Sequence, residues 1–111
     1  MKQMILAAAM AMATPLPALS AAPPPTVTIT DFQFRPARLT VAAGQTVRFV
    51  NRDGEAHTVT AANRRFDSGG LDSGEAWTYR FTQPGRYAYF CALHPYMRGT
   101  IVVIAPHRNA S

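Results

Sequence analysis

The sequence is poor in the residues on which several common classes of small protein depend. Its 111 residues include a single cysteine, Cys91, so no intrachain disulfide can form and no zinc site built on several cysteines is available. Charged residues make up only 15% of the chain while 48% are hydrophobic, a balance that excludes a disordered protein. Seven glycines without a three-residue period exclude a collagen-like chain. Length and composition therefore predict one modest folded domain.

Lysine is also nearly absent, and the only one, Lys2, opens a segment with the pattern of a secretory signal peptide. Apolar residues from Met4 to Met12 follow, and small residues around Ser20 offer a cleavage site. The apolar stretch is far shorter than the roughly 20 residues that span a bilayer. We therefore predict a signal peptide, removed on export to the periplasm, over residues 1–20. The rest of the chain divides into a Pro-rich leader over 21–25, a domain over 26–105 and a tail over 106–111.

The chain that remains without residues 1–20 is moderately basic, with ten arginines against six acidic side chains and a net charge of +4. These arginines are scattered along the sequence. A protein that binds nucleic acid would show a basic stripe or cluster instead. The charge pattern therefore gives no support to nucleic-acid binding.

Helical periodicity is missing as well, because no window sustains an apolar period of 3.6 residues. Short alternating segments separated by turn residues predict an all-β fold, a Greek-key sandwich of about seven to eight strands. The clearest alternation puts Trp77, Tyr79 and Phe81 on one face of a strand. Tyr87, just past a Pro-Gly corner, predicts a tyrosine corner, in which the hydroxyl bonds to upstream backbone. The predicted strands are 26–30, continuing after a phase shift through Phe34, then 38–41, 45–51, 56–61, 75–81, 86–91 and 99–104.

The side chains that could bind a metal are concentrated in one segment, Cys91-Ala-Leu-His94-Pro-Tyr-Met97, between two predicted strands. Thiolate and thioether suit copper(I), and imidazole suits both oxidation states of copper, so these donors fit a mononuclear copper site. One more imidazole would complete a trigonal His-His-Cys site with a weak axial Met, and His57 is the candidate. The remaining histidine, His107, lies in the polar tail and is predicted to take no part.

Four stretches of the chain carry a family resemblance: FCALHPYMRGTIVV (90–103), the GxYxYxC run (85–91), VRFVNRDGEAHTV (47–59) and FDSG (66–69). With these stretches the chain resembles the cupredoxins, the small blue-copper electron carriers, and looks most like those of the amicyanin type. The resemblance covers about residues 26–104, nearly all of the predicted mature chain.

The resemblance implies a type 1 (blue) copper site and assigns a role to each candidate ligand. Cys91 would be the thiolate ligand, His57 and His94 the imidazole ligands, and Met97 the weak axial thioether. The function implied is the shuttling of single electrons between periplasmic redox partners, such as a dehydrogenase or a c-type cytochrome, by a monomer. No enzymatic activity, nucleic-acid binding or stable membrane insertion is expected.

The resemblance also predicts how electrons enter and leave. In that family the histidine of the ligand loop lies within an apolar surface patch, which gives this role to His94, with Leu93, Pro95 and Tyr96 as patch residues. Two positions depart from the amicyanin pattern. Thr58 stands where that type has an Asn that locks the ligand loop, and Leu93 stands where it has a Pro.

The basic balance of the mature chain suggests a partner whose docking face is at least partly acidic. Arg52, Arg86 and Arg98 are the candidate charges around the patch.

Other functions fit parts of the pattern. A periplasmic copper carrier or chaperone would use the same donors without electron transfer, and an enzyme with Cys91 as nucleophile would need a histidine base. A metal-free adhesive sandwich would use Cys91 and Met97 as buried hydrophobic residues and His57 as a hydrogen-bonded strand residue. A binuclear copper centre is excluded, because it needs two bridging thiolates and the chain has one cysteine.

Overall fold

The computed structural model describes residues 22–106, which form eight β-strands in two four-stranded sheets. The strands are β1 (Thr26–Thr30), β2 (Gln33–Arg35), β3 (Arg38–Ala42), β4 (Thr46–Asn51), β5 (Thr60–Ala61), β6 (Ala76–Arg80), β7 (Gly85–Phe90) and β8 (Arg98–Ile104). The first sheet has the order β2-β1-β4-β6 and the second β3-β8-β7-β5. The predicted all-β sandwich is confirmed.

Both sheets are mixed. Strand β1 runs parallel to β4 and β3 runs parallel to β8, whereas all the other pairs are antiparallel. Two parallel strands cannot be joined by a hairpin, and within each parallel pair the chain passes through the other sheet before it returns, at β3 between β1 and β4 and at β4 and β6 between β3 and β8. These crossings bring β4 and β7, which precede the predicted ligands, into one sandwich.

Buried and exposed side chains alternate along the strands, and the buried ones form the core between the two sheets. Val27 and Ile29 of β1, Phe49 of β4 and Ile101 of β8 are fully buried, and each contributes about 1.5–3 kcal/mol by leaving water. The predicted aromatic face is confirmed, since the odd-numbered positions 77, 79 and 81 turn inward and the even positions between them are exposed. The tyrosine corner is confirmed too, because the Tyr87 hydroxyl donates a 2.6 Å hydrogen bond to the Gln83 carbonyl.

Gly99 on β8 lies opposite Tyr89 on β7, and the tyrosine ring occupies the space that a side chain at position 99 would need. A Cβ on Gly99 would overlap with Cζ and the hydroxyl oxygen of Tyr89. Burial raises the pKa of Tyr89 above its ordinary value. Packing against the Tyr89 ring therefore requires a glycine at position 99, two residues after the predicted ligand Met97.

One strand prediction is wrong. The segment 56–61 forms a strand only at Thr60–Ala61, although His57, Val59 and Ala61 do turn inward as expected. Residues 57–61 pair irregularly with 66–71, because the Ser68 hydroxyl accepts the Val59 N–H at 2.8 Å in place of a backbone carbonyl. Most other strand ends differ from the prediction by one residue, and the phase shift before β2 arises at Asp31 and Phe32, which have φ of 52° and 55°.

Two sequence predictions lie outside the described residues. They are the signal peptide at 1–20 and the tail from His107 onward. Between residues 22 and 106, no helix has the length and apolar character needed to cross a membrane.

Candidate metal centre

The loop from Cys91 to Met97, here called the ligand loop, consists of two successive turns. The His94 N–H donates to the Cys91 carbonyl at 3.2 Å, and the Met97 N–H donates to the His94 carbonyl at 2.9 Å. The Cys91 N–H then closes the loop on the Met97 carbonyl at 3.1 Å. A gap of two residues on each side of His94 is the spacing that an i to i+3 turn requires. The CxxHxxM segment therefore connects β7 to β8 through two turns, and Cys91, His94 and Met97 are the first and last residues of those turns.

Three of the four predicted ligands converge. The donor atoms of His57, Cys91 and His94, here called the donor cluster, all lie within 4.8 Å of one another. The Cys91 Sγ lies 3.7 Å from Nδ1 of each histidine. With metal bonds of about 2.0 Å to nitrogen and about 2.3 Å to sulfur, a trigonal arrangement puts these atoms about 3.7 Å apart. The cluster thus has the size and the donor types that a trigonal copper site needs.

The fourth predicted ligand, Met97, ends the ligand loop with its side chain buried in the same core cluster as Cys91. Its exposed fraction is 2%, and that of Cys91 is zero. A thioether in this position is shielded from water, as a weak axial ligand should be.

His57 is held in place from two sides. Its backbone exchanges two hydrogen bonds with Leu71, of 3.0 and 2.7 Å, which join it to the segment after β5. Its Nε2 lies 2.9 Å from Oδ2 of Asp53, which leaves Nδ1 directed at the donor cluster. A carboxylate on the second ring nitrogen fixes both the tautomer and the orientation of a metal-binding imidazole.

Asp53 connects this histidine to the turn before β2. Its carboxylate also accepts the backbone N–H groups of Asp31, at 2.7 Å, and Phe32, at 2.9 Å. Burial acts to raise the pKa of Asp53, but the hydrogen bonds from Phe32, Asp31 and His57 outweigh it and hold the pKa below its ordinary value. The carboxylate therefore stays ionised and stabilises two non-glycine residues with positive φ.

Phe32 covers the two imidazoles. Its ring lies edge-on to both His57 and His94, with a distance of 5.1 Å between ring centroids in each case. The side chain is 36% exposed, so its outer edge belongs to the protein surface. Phe32 therefore separates the donor cluster from solvent on the side of the β1–β2 turn.

The thiolate position is defined by the backbone of Thr58. The Thr58 N–H points at the Cys91 Sγ at 3.3 Å, a distance suited to a hydrogen bond to sulfur. Hydrogen bonds to a metal-bound sulfur tune the reduction potential of the metal. This contact arises because residues 57–58 lie directly beside the end of β7.

An apolar surface surrounds His94, which is the only partly exposed member of the donor cluster. The predicted patch residues Leu93, Pro95 and Tyr96 are exposed, Leu93 by 56% and Tyr96 by 69%. Phe32 extends the same surface, which we call the surface patch.

Asp53 and Phe32 were missed in the sequence. For Asp53 a signal existed, since a carboxylate four residues before a candidate metal-binding histidine is a plausible partner for its second nitrogen. For Phe32 no local signal existed, because it contacts histidines that lie 25 and 62 residues further along the chain.

The fold and the donor cluster together define a small β-sandwich metal-binding protein with one thiolate and two imidazoles. The family described as "Cupredoxin-like domain" matches residues 3–103, and the chain belongs to that family. Its cofactor is a single copper ion, which the soft and imidazole donors of the cluster fit.

Comparisons with individual proteins also find copper proteins. Amicyanin of Paracoccus versutus is 30% identical over 82 residues, a match that covers 69% of this chain but only 62% of that protein. A solved structure of an amicyanin mutant with Cu(I) has a TM-score of 0.70 at 29% identity and covers 78% of this chain and 88% of that one. A copper-containing nitrite reductase from Thermus scotoductus has a TM-score of 0.72 at 33% identity, yet the match covers only 24% of that enzyme.

Proposed function

We propose that this protein is a mononuclear type 1 copper protein that carries single electrons between redox proteins. In this proposal His57, Cys91 and His94 are the strong ligands and Met97 is the weak axial one. The observation that carries it is the convergence of one thiolate and two imidazoles within 4.8 Å in a chain of the cupredoxin-like family.

The chain's own residues would keep the site rigid. Copper, when bound, supplies one-electron transfer between its Cu(I) and Cu(II) states. Asp53 holds the ring of His57, the Thr58 N–H holds the Cys91 sulfur, and the turns of the ligand loop hold His94 and Met97. Donors that are already in place need little rearrangement when the charge of the site changes, which favours fast transfer.

His94 is the proposed route for electrons. His57 and Cys91 are fully buried, whereas His94 is partly exposed within the surface patch. A partner that docks on this patch would come close to the imidazole without water between the two surfaces.

The proposed setting is the periplasm, which the chain would reach through the signal peptide predicted at residues 1–20. The partners would be redox proteins such as a periplasmic dehydrogenase or a c-type cytochrome, and the protein would act as a monomer. We propose a carrier rather than an enzyme, because the only histidine outside the donor cluster, His107, belongs to the predicted tail.

The test is a visible absorption spectrum after addition of one equivalent of Cu(II) to the processed protein. We expect an intense blue band that a reductant bleaches and an oxidant restores while copper stays bound. A colourless copper complex, or one that releases copper on reduction, would contradict electron transfer. That result would instead support a periplasmic copper carrier or chaperone.

Association with an acidic redox partner should slow as salt rises. Arg98 directly follows the ligand loop and Arg52 directly precedes Asp53, whereas Arg86 lies near the start of β7, opposite Val102, well away from the surface patch. Between about 0.01 and 0.15 M ionic strength the screening length falls from about 30 to 8 Å, so attraction between the two faces weakens. Stopped-flow measurement of the second-order rate of electron transfer to an acidic c-type cytochrome should show this decrease.

The matched variants are Arg98→Gln beside the patch and Arg80→Gln on β6. The Arg80 guanidinium donates to the Gly44 carbonyl, at the opposite end of the sandwich from the ligand loop. We expect Arg98→Gln to reduce the salt dependence and Arg80→Gln to leave it nearly unchanged. A rate that does not vary with ionic strength would rule out an acidic docking face.

A further inference from the structure

A chain of hydrogen bonds runs from the surface to the ligand loop through two threonine hydroxyls, and we call it the hydroxyl chain. The Ala92 N–H donates to Oγ1 of Thr58 at 2.7 Å. Oγ1 of Thr58 lies 2.8 Å from Oγ1 of Thr60, and the Thr60 hydroxyl donates to Oδ1 of Asp67 at 3.2 Å. The hydroxyl chain therefore links an exposed carboxylate to the residue directly after Cys91.

Only one arrangement of protons satisfies every member of the hydroxyl chain. An ionised carboxylate can only accept, so the Thr60 proton points to Asp67. The Thr60 oxygen is then free to accept the Thr58 proton, and the Thr58 oxygen is free to accept from Ala92. Asp67 thus orders two hydroxyls so that Thr58 presents a lone pair, and not a proton, to the ligand loop.

The outer end of the hydroxyl chain is itself held. Oδ1 of Asp67 also accepts the Gly69 N–H at 2.9 Å. On either side of Asp67, the Ala61 N–H donates to the Phe66 carbonyl and the Ser68 N–H donates to the Val59 carbonyl, both at 2.9 Å. These bonds fix the carboxylate relative to the strand that carries Thr60.

At the inner end, Thr58 contacts two successive residues of the ligand loop. Its backbone N–H points at the Cys91 sulfur at 3.3 Å, and its hydroxyl accepts the Ala92 N–H. We propose that Thr60 and Asp67 are positioning residues, which act through the Thr58 hydroxyl to hold the Cys91–Ala92 backbone in place. Thr58, in the position where the amicyanin type has an Asn, is therefore the inner end of the hydroxyl chain. The outer end, Asp67, lies in the segment 66–69.

The first test follows the exchange of the Ala92 amide hydrogen by NMR in copper-free protein, relative to amides in the middle of β7 and β8. Loss of one net hydrogen bond corresponds to about two- to tenfold faster exchange. We expect this acceleration in Thr60→Val and Asp67→Ala, confined to the ligand loop. Thr60→Ser and Asp67→Asn, which keep a hydroxyl and an acceptor oxygen, should exchange at nearly the wild-type rate.

The control is Thr40→Val, which makes the same substitution at an exposed position of β3 in the same sheet. The proposal is overturned if Thr60→Val leaves Ala92 exchange at the wild-type rate. It is also overturned if the core amides of β7 and β8 accelerate by the same factor, since that would show a general loss of stability.

A second readout uses copper-loaded protein, and here the inference rests on the proposed function. The reduction potential should shift in Thr60→Val and return to the wild-type value in Thr60→Ser, because only the former disorders the Thr58 hydroxyl. An unchanged potential in Thr60→Val would overturn a role for the hydroxyl chain at the metal. If wild-type protein binds no copper, the proposed function fails, whereas the exchange experiment still decides the positioning role.

Discussion

Cys91→Ser is expected to abolish the blue band and the reversible redox cycle of the copper-loaded protein. The band depends on a thiolate bound to Cu(II), and Cys91 is the only sulfur donor of that kind in the chain. Serine is close to cysteine in size and its oxygen can accept the Thr58 N–H that now points at sulfur, so the fold should persist. The loss would therefore report on the metal and not on folding.

Copper binding should also stabilise the wild-type fold far more than that of the variant. Free copper at 100 times its dissociation constant stabilises a native protein by about 2.7 kcal/mol, which raises Tm by about 10–20 °C in a domain of this size. We expect an increase of this order in wild type and a much smaller one in Cys91→Ser, measured by thermal unfolding with and without copper.

The matched control is His107→Ala, which removes the histidine that the sequence assigns to the tail. Its spectrum and its stabilisation by copper should match those of wild type. If Cys91→Ser keeps an intense blue band, or if wild-type Tm does not respond to copper, the proposed ligand set is wrong.

Asp53→Ala is expected to destabilise the copper-free protein and to weaken copper binding. The change leaves Nε2 of the fully buried His57 without a partner and frees the backbone N–H groups of Asp31 and Phe32. We expect a loss of about 2–3 kcal/mol, since the two amides can bind water but the imidazole cannot. Removal of a carboxylate that orients a metal-binding histidine typically lowers metal affinity by about 10- to 100-fold.

The pH dependence of Tm in the copper-free protein distinguishes the contribution of the ionised Asp53 carboxylate from other causes of lower stability in Asp53→Ala. Its pKa is below the ordinary 3.8 in the folded state, so the stability it contributes is fully present above 3.8 and is lost as the pH falls through the lower, folded value. The difference in Tm between wild type and Asp53→Ala should be constant above about pH 5 and should shrink in acid below 3.8.

Asp72→Ala, which removes an exposed carboxylate of the same charge, is the control and should change Tm little. Equal losses in Asp53→Ala and Asp72→Ala would show that net charge, and not the contacts of Asp53, causes the effect. A Tm difference that persists unchanged at pH 2 would contradict the assignment to an ionised Asp53.

The ligand loop could be predicted because its geometry is local. The spacing of Cys91, His94 and Met97 is that of two consecutive turns, and such turns depend only on neighbouring residues. The same is true of the alternation at Trp77 and Tyr79, which follows from the two-residue period of any strand. His57 could be proposed only from donor chemistry and family resemblance, since its approach to Cys91 depends on how strands pair.

Strand boundaries around His57 show where local patterns fail. The alternation over 56–61 is that of a strand, but hydrogen bonds decide where a strand exists, and Ser68 replaces a ladder bond with its side chain. No property of residues 56–61 indicates that the Ser68 side chain will accept the Val59 N–H.

Amino-acid composition and spacing were sufficient for the all-β fold, the donor types and the loop that carries three of them, because strand alternation and tight turns are properties of adjacent residues. Only the folded chain decided that Asp53 orients His57, that Phe32 covers both imidazoles and that Asp67 reaches the ligand loop through Thr60 and Thr58. Each of these contacts joins side chains whose directions are set by loops and by the packing of two sheets. Their free energies depend on burial and hydrogen-bond geometry, which exist only after the sandwich has formed.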